Sequence, residues 1–207
     1  PANHNIKPCV SSRINPTGLA VDRAGNLFVS CRHDGTIHRI TPDGRSEQWV
    51  EGMGVATGIA FDKDENLYVG DRSGTIFKIS PSQEIFVFAT LEPSFAAYHL
   101  AFHPSGDLFV TGPTTSSFDR VYRVSQGGEV EVFFRGLRRP PRLPLARDGN
   151  LYAAPSQPRN RGTVRVRPPG NPDRAPTRPR LVGRAPTPPG RAHRDTTHDD
   201  DHRLEPS

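Results

Sequence analysis

Side chains that could bind or activate a substrate recur along the chain at intervals of about forty residues. The first recurring position opens an apolar segment and holds Thr17, Thr57, Tyr98 and His99. The second follows a short apolar segment and holds charged groups and hydroxyls: Arg32, His33, Asp34, Asp71, Arg72, Thr111, Thr114 and Thr115. Imidazoles and carboxylates can act as general bases, guanidinium groups bind carboxylates, and hydroxyls bind sugars. This mixture suits a polar small molecule, provided that the fold brings the two positions together.

These positions belong to an internal repeat. Gly18 to Ile40 reads GLAVDRAGNLFVSCRHDGTIHRI, and Gly58 to Ile79 reads GIAFDKDENLYVGDRSGTIFKI. The anchor residues of five copies are spaced 40, 41, 43 and 41 residues apart: Leu19, Ile59, Leu100, Leu143 and Arg184. A period in the low forties is typical of β-propeller blades, although some helical solenoids share it.

The pattern within a repeat favours strands. Leu19 and Val21 alternate with small or polar neighbours, and turn sequences rich in Gly, Asp and Pro interrupt the chain about every ten residues, which leaves no room for an ordinary helix. Each repeat is therefore predicted to be a four-stranded antiparallel meander, with strands A to D. The sequence predicts an all-β propeller of about five repeats plus a remnant.

Three regions differ in how well they follow the repeat. Residues 1–12 are predicted to be the remnant of a preceding blade, because Ile6–Ser12 resembles a strand D segment. Residues 13–137 are predicted to form well-patterned blades. Residues 1–137 have a net charge of −3, whereas residues 138–207 are rich in Arg and Pro with a net charge of +8.

Residues 138–207 have three interpretations: degenerate blades that are partly disordered, a flexible Pro-rich tail, or a basic arm that binds nucleic acid. Degenerate blades are favoured because the end of strand C keeps its frame at VRVRP (164–168) and HRLEP (202–206). Nucleic-acid binding is disfavoured, since Tyr152 is the single aromatic residue there. No apolar run approaches the length of a membrane span, and we expect a monomer.

Propeller geometry predicts where a site would lie. If strand A is innermost, its start and the loop between strands B and C share one face of the disc, around the mouth of a central channel. His99 stands there in place of the Gly found at positions 18 and 58. The structural alternative for Arg72 is a salt bridge with Asp71, and His33 is explained equally well as a solvated turn residue.

The stretches PTGLAVDRAGNLFVS (16–30) and ATGIAFDKDENLYVGDRSGTIFKI (56–79) resemble gluconolactonase/regucalcin-like propellers, also called senescence-marker-protein-like, and NHL-type repeats. The resemblance implies a complete protein of six blades. It also implies one divalent cation at the channel mouth, Ca²⁺, Mg²⁺ or Zn²⁺, held by a Glu, two Asn and an Asp, and hydrolysis of sugar lactones or related esters.

The implied metal ligands are not matched in this chain. The family places Asn immediately before the Gly that opens strand A, and that slot holds Thr17, Thr57, Tyr98, Pro141 and Val182 in the five repeats. The metal-ligating residues are therefore unknown, although Asp71 is expected on the same face.

We predict a lactonase-like hydrolase in which His99 or Asp71 serves as base or ligand. Arg32 and Arg72 would bind a substrate carboxylate, and the hydroxyls of Thr111, Thr114 and Thr115 would bind those of a sugar. The remaining predicted substrate-binding residues are Thr17, Asp34, Thr57 and Tyr98. The alternative is a non-catalytic propeller that binds a small ligand or a protein partner through the same face.

Overall fold

The structure is a computed structural model that describes residues 15–112, 119–137, 151–153 and 164–166. Every regular element among these residues is a β-strand, which confirms the all-β prediction. No helix in this part of the chain is long and apolar enough to cross a membrane. The predicted remnant at 1–12 and most of the region 138–207 lie outside the described residues.

Three four-stranded antiparallel sheets follow one another along the chain, each with its strands paired in sequence order. Blade 1 comprises β1 (Pro16–Val21), β2 (Leu27–Cys31), β3 (Ile37–Ile40) and β4 (Ser46–Val50). Blade 2 comprises β5 (Ala56–Phe61), β6 (Leu67–Asp71), β7 (Thr75–Ile79) and β8 (Ile85–Thr90). Blade 3 comprises β9 (His99–Phe102), β10 (Leu108–Gly112), β11 (Asp119–Val124) and β12 (Val130–Leu137). A two-stranded sheet pairs β13 (Leu151–Ala153) with β14 (Val164–Val166).

The turns between strands A and B are stabilised by a repeated Asp–Asn pair. The Asp22 carboxylate accepts hydrogen bonds from the backbone N–H and the side-chain amide of Asn26, at 2.8 and 2.7 Å. Asp62 and Asn66 repeat both bonds at 2.9 and 2.8 Å. Gly25 has a φ of 83°, a conformation that a residue with a side chain rarely adopts. These turns have the structural role that the sequence predicts for them.

Strand A is innermost in the three described four-stranded blades, because β1 packs beside β5 and β5 packs beside β9. This is the strand order on which the expected position of the site depends. The strands approach each other most closely at Gly18 and Gly58. A Cβ atom on Gly18 would overlap the carbonyl oxygen of Thr57, and one on Gly58 would overlap the carbonyl oxygen of Tyr98. Glycine at these two positions is what allows three successive inner strands to pack side by side.

Aromatic rings fill the space between blades. Phe28 on β2 makes edge-to-face contacts with Trp49 of its own blade and with Phe61 of blade 2, at centroid distances of 4.9 and 5.0 Å. Tyr68 on β6 does the same with Phe88 and with Phe102 of blade 3, at 4.9 and 4.8 Å. In blades 1 and 2, one aromatic residue on strand B therefore contacts both its own outer strand and the inner strand of the next blade.

Strands B and C pair in the same register in all three four-stranded sheets, and the two-stranded sheet of β13 and β14 repeats it. In each sheet the aromatic residue of strand B is directly opposite a basic residue of strand C: Phe28 and Arg39, Tyr68 and Lys78, Phe109 and Arg123, Tyr152 and Arg165. A register slip of one residue would move every side chain to the opposite face of its sheet. The β13–β14 pair thus has the backbone register of a blade's strands B and C.

We expect the Gly58→Ala substitution to lower the free energy of unfolding by about 2 kcal/mol or more, because its methyl group overlaps the backbone of β9. Urea denaturation of the purified chain measures this loss. Gly127→Ala is the matched control, since a Cβ there meets only the Ser125 hydroxyl at 3.7 Å, and its effect should stay within about 0.5 kcal/mol. Equal effects of the two variants would contradict the close packing of inner strands.

Candidate functional site

The two recurring polar positions meet at one end of each blade, which we call the mouth face: the starts of strands A and the ends of strands B. Pairing between the two strands places Pro16 opposite Cys31, Ala56 opposite Asp71 and His99 opposite Thr111. The sequence prediction that these positions share one face is therefore confirmed for three blades.

Thr17 and Thr57 use their hydroxyls to connect neighbouring blades. The Thr17 hydroxyl donates to the carbonyl oxygen of Ala56 at 2.9 Å. The Thr57 hydroxyl donates to the carbonyl oxygen of Gly70 at 2.6 Å and accepts the backbone N–H of Tyr98 at 3.2 Å. Thr57 is almost completely buried. A substrate would have to compete with these bonds for either hydroxyl.

Tyr98 is wedged between blades 2 and 3 and is completely buried. A Cβ atom on Gly70 would lie 2.9 Å from the Tyr98 Cβ, and one on Gly112 would lie 2.7 Å from the ring, so both glycines make room for it. The Tyr98 hydroxyl donates to the backbone carbonyl of Glu92. Burial raises the pKa of Tyr98 far above its ordinary value, as do the nearby Tyr122, Glu92 and Asp71. The phenol is therefore protonated at neutral pH.

Near the Tyr98 hydroxyl, Glu92 and Arg120 form an ion pair that was not predicted from the sequence. Arg120 Nη1 lies 3.0 Å from Glu92 Oε2, with both side chains 24% exposed, and the Tyr122 hydroxyl donates to the same carboxylate oxygen at 3.4 Å. The signal was present in the repeat, because Arg120 replaces the Thr found at positions 36 and 75. Glu92 precedes strand A of blade 3 and falls outside the repeated motif.

Asp71 stabilises the link between two blades rather than facing solvent. Its carboxylate accepts the backbone N–H groups of Val55 and Ser73, each at 2.6 Å, and the residue is 5% exposed. Catalysis by Asp71, which remains a prediction, would require these bonds to break. The salt bridge considered for Arg72 and Asp71 is not among the ion pairs of the described residues. Instead, Arg72 Nε donates to the carbonyl oxygen of Ser94 at 3.3 Å.

Arg32 and Asp34 are exposed on the mouth face of blade 1. The Asp34 carboxylate accepts the hydroxyl and the backbone N–H of Thr36, at 2.8 and 3.2 Å, within its own turn. The Arg32 backbone N–H donates to the carbonyl oxygen of Asn15 at 2.9 Å, while its side chain extends into solvent. Binding of a substrate carboxylate by this guanidinium group remains a prediction.

His99 and Thr111 form the cross-strand pair of blade 3. His99 is half-buried, and Thr111 is completely buried with a hydroxyl that has no hydrogen-bond partner within the described ranges. In blade 1 the residue equivalent to Thr111 is Ser30, whose hydroxyl donates to the carbonyl oxygen of Thr57 in the next blade. The predicted residues Thr114 and Thr115 lie outside the described part of the chain.

The described residues do not fit the divalent-metal site that the family resemblance implies. In the slots where Asn ligands are expected, the hydroxyls of Thr17 and Thr57 bridge blades and the ring of Tyr98 is buried. Both oxygens of Asp71 accept backbone N–H groups. No cluster of three or more His, Cys, Asp or Glu side chains suited to a metal occurs in residues 15–112 and 119–135. A cation would need ligands from elsewhere.

We expect the Asp71→Ala substitution to lower the free energy of unfolding by about 1–3 kcal/mol, because it leaves two N–H groups without an acceptor, that of Val55 in the link between blades 1 and 2 and that of Ser73 in the turn after β6. Asp34→Ala is the control, since Asp34 is exposed and serves only its own turn, and water can replace its bonds. Urea denaturation of both variants measures the difference. A loss no larger for Asp71 than for Asp34 would argue against this structural role.

No family model and no curated protein matches the chain. Solved structures do match. A catalytically inactive histidine-to-alanine variant of virginiamycin B lyase from Staphylococcus aureus, with quinupristin, has a TM-score of 0.62 and 19% identity, covering 74% of this chain and 53% of that one. Regucalcin from Agrobacterium tumefaciens, a calcium-binding protein, has a TM-score of 0.59 and 18% identity, covering 74% and 54%.

A gluconolactonase from Xanthomonas campestris has a TM-score of 0.61 and 15% identity, covering 73% of this chain and 58% of that one. The chain thus spans little more than half the length of these three proteins. At such identities the similarity concerns the fold, and it confirms the resemblance to gluconolactonase/regucalcin-like propellers at that level. The chain has the blade architecture of these propellers.

Proposed function

We propose that this protein is a gluconolactonase-like propeller that hydrolyses a sugar lactone or a related cyclic ester at its mouth face. The observation that carries the proposal is that His99 stands where the earlier inner strands have a close-packed glycine, opposite Thr111, whose buried hydroxyl has no hydrogen-bond partner among the described residues. The roles of both residues, and of the predicted substrate-binding residues, are proposals.

Steric reasoning supports a gap beside His99. A Cβ atom on Gly58 would point into the backbone of β9, the inner strand of the next blade. His99 occupies the same position in β9, so its side chain is expected to leave the strand toward the following repeat. An imidazole cannot be accommodated at the strand separation that Gly58 permits. We propose that a small molecule binds beside His99, near the channel.

The hydroxyl of Thr111 is suited to bind an oxygen atom of a ligand. Buried hydroxyls nearly always form hydrogen bonds, because leaving one unpaired costs about 1–3 kcal/mol. Ser30 satisfies this requirement with a carbonyl group of the next blade. Because Thr111 lies opposite the bulky His99, an equivalent hydrogen bond to a neighbouring backbone carbonyl is harder to form. A substrate carbonyl oxygen is a suitable acceptor for the Thr111 hydroxyl.

The proposed reaction needs one base and one hydrogen-bond donor. The imidazole of His99 accepts a proton from water while the water oxygen attacks the ring carbonyl carbon, and the Thr111 hydroxyl donates to the carbonyl oxygen as it becomes negatively charged. The tetrahedral intermediate then collapses, the bond to the ring oxygen breaks, and the imidazolium returns the proton to that oxygen. One lactone and one water yield one hydroxy acid, whose new carboxylate can pair with Arg32.

Two structural neighbours support this assignment. One is described as a gluconolactonase, so the fold can carry lactone chemistry. Another is a lyase in which a histidine-to-alanine substitution makes the protein catalytically inactive, so a single imidazole can be essential in this architecture. Neither sequence is close enough to transfer a substrate, and we infer only the class of reaction.

A non-catalytic propeller that binds a small ligand or a protein partner is the second candidate. It is favoured by the commitment of Thr17, Thr57 and Asp71 to hydrogen bonds between and within blades. Such a propeller would bind its ligand at the same face. Replacing His99 would then change the affinity for that ligand, and the unaltered chain would catalyse no reaction.

We expect the His99→Ala substitution to reduce lactone hydrolysis by about 100-fold or more, the usual contribution of a general base. A panel of sugar lactones assayed by proton release at constant pH provides the measurement. His33→Ala is the control, because His33 is exposed in a turn of the same face, and its activity should match that of the unaltered chain. Equal activity of the two variants, or no turnover by the unaltered chain, would overturn the proposal.

We expect lactone hydrolysis to survive prolonged treatment with EDTA, because His99 and Thr111 supply the base and the donor without a cation. Activity before and after chelation, together with elemental analysis of the purified chain, measures this. Loss of activity that Ca²⁺, Mg²⁺ or Zn²⁺ restores would instead establish the cation-dependent mechanism implied by the family resemblance. Its ligands would then have to be sought outside the described residues.

A further inference from the structure

The link that enters blade 3 is longer than the equivalent link that enters blade 2. Both begin at a residue whose backbone N–H donates to a glycine carbonyl of the preceding B–C turn: Met53 to Gly35 at 3.3 Å, and Leu91 to Gly74 at 2.7 Å. Both end at equivalent positions at the start of strand A, Thr57 and Tyr98. Three residues separate Met53 from Thr57, whereas six separate Leu91 from Tyr98. Blade 3 therefore has three additional residues at the mouth face.

Side chains that depart from the repeat hold this longer link in place. The Tyr98 hydroxyl donates to the carbonyl oxygen of Glu92, and Arg120 pairs with the Glu92 carboxylate at 3.0 Å. Tyr98 and Arg120 both take positions that hold Thr in the first two blades. The Ser94 backbone N–H donates to the carbonyl oxygen of Arg72 at 2.9 Å, and Arg72 Nε donates to the carbonyl oxygen of Ser94 at 3.3 Å. The link is thus fixed at Glu92 and again at Ser94.

Phe95 comes directly after the second of these fixed points and is exposed. The Ser94 hydroxyl accepts the backbone N–H of Ala96 at 3.2 Å and so closes a turn around Phe95. Phe95 is 50% exposed, whereas its neighbours Ser94 and Ala96 are buried and half-buried. Because its backbone is already held, this aromatic residue can bind an apolar group without a further cost of ordering the link.

The link also passes close to the proposed site. A Cβ atom on Gly112 would lie 3.5 Å from the carbonyl oxygen of Ala97, so the link runs beside the end of β10, next to Thr111. Phe95 is two residues before Ala97 and four before His99. Since an extended chain spans at most about 3.6 Å per residue, the Cα atoms of Phe95 and His99 are no more than about 14 Å apart. A substituent on a substrate bound beside His99 can span that distance.

From this arrangement we propose that Phe95 is a specificity-determining residue of the mouth-face site, and that it selects sugar lactones with an apolar substituent. The substituent packs against the exposed ring of Phe95 while the lactone carbonyl stays beside His99 and Thr111. This inference rests on the proposed hydrolysis, because it names a part of the same substrate that lies outside the reacting ring. Phe95 binds that part and takes no role in making or breaking bonds.

The test compares glucono-δ-lactone with its 6-O-benzyl ether, two lactones that differ by one apolar substituent. We expect the unaltered chain to hydrolyse the ether with a kcat/KM about tenfold higher or more. Phe95→Ala should abolish this preference through a higher KM for the ether. It should leave kcat/KM for glucono-δ-lactone unchanged, because that lactone has no apolar substituent to contact the ring. Proton release at constant pH, corrected for hydrolysis without protein, measures both rates.

Phe86→Ala is the matched control, because Phe86 is exposed to the same extent (51%) but lies on β8, the outer strand of blade 2. Its preference for the ether should equal that of the unaltered chain. Hydrolysis of both lactones without a preference, or with one that the two variants affect equally, would overturn the inference and leave the proposed function standing. If neither lactone is hydrolysed by the unaltered chain, the proposed function fails and this inference fails with it.

Discussion

The close approach of the inner strands is the constraint on which the rest of the structure depends. Blades are wedge-shaped around an axis, so their strands A must come together more tightly than any other elements. Gly18 and Gly58 meet this demand because a single extra carbon atom would overlap the backbone of the next strand. The neighbouring Thr17 and Thr57 then bond across the same contact. Toward the outer strands the gap widens, and the aromatic rings of Phe28 and Tyr68 fill it.

The third repeat departs from the first two on both faces of the disc. On the mouth face, Tyr98 and His99 replace the Thr-Gly dipeptide that joins the earlier inner strands. On the opposite face, that of the A–B turns, Gly106 replaces Glu65, which pairs with Arg23 of the preceding turn, so this bridge between neighbouring turns is lost. Where the repeat sequence is kept, its polar groups form the hydrogen bonds that hold neighbouring blades together. A departure from it changes these bonds: Gly106 offers no carboxylate for a turn bridge, and the Thr111 hydroxyl has no hydrogen-bond partner among the described residues.

Much of the architecture could be predicted because its causes are local. The alternation at Leu19 and Val21 and the Asp–Asn turns specify strands and their connections within about ten residues. The spacing of the copies then predicts the blades, and strand order predicts which ends share a face. The site was harder to predict, because the sequence does not distinguish a polar residue that binds a substrate from one that binds a backbone amide.

Asp71 illustrates the difference, since the backbone N–H groups of Val55 and Ser73 that donate to its carboxylate become apparent only in the folded structure. The pairing of Glu92 with Arg120, across 28 residues, was likewise hidden, as was the bond from Arg72 to Ser94. The sequence by itself determined the strands, their turns and the face on which polar residues gather, because those follow from periodicity and turn chemistry. Only the tertiary structure decided which of these residues hold blades together, because their hydrogen-bond partners come from neighbouring blades and links that local pattern does not specify.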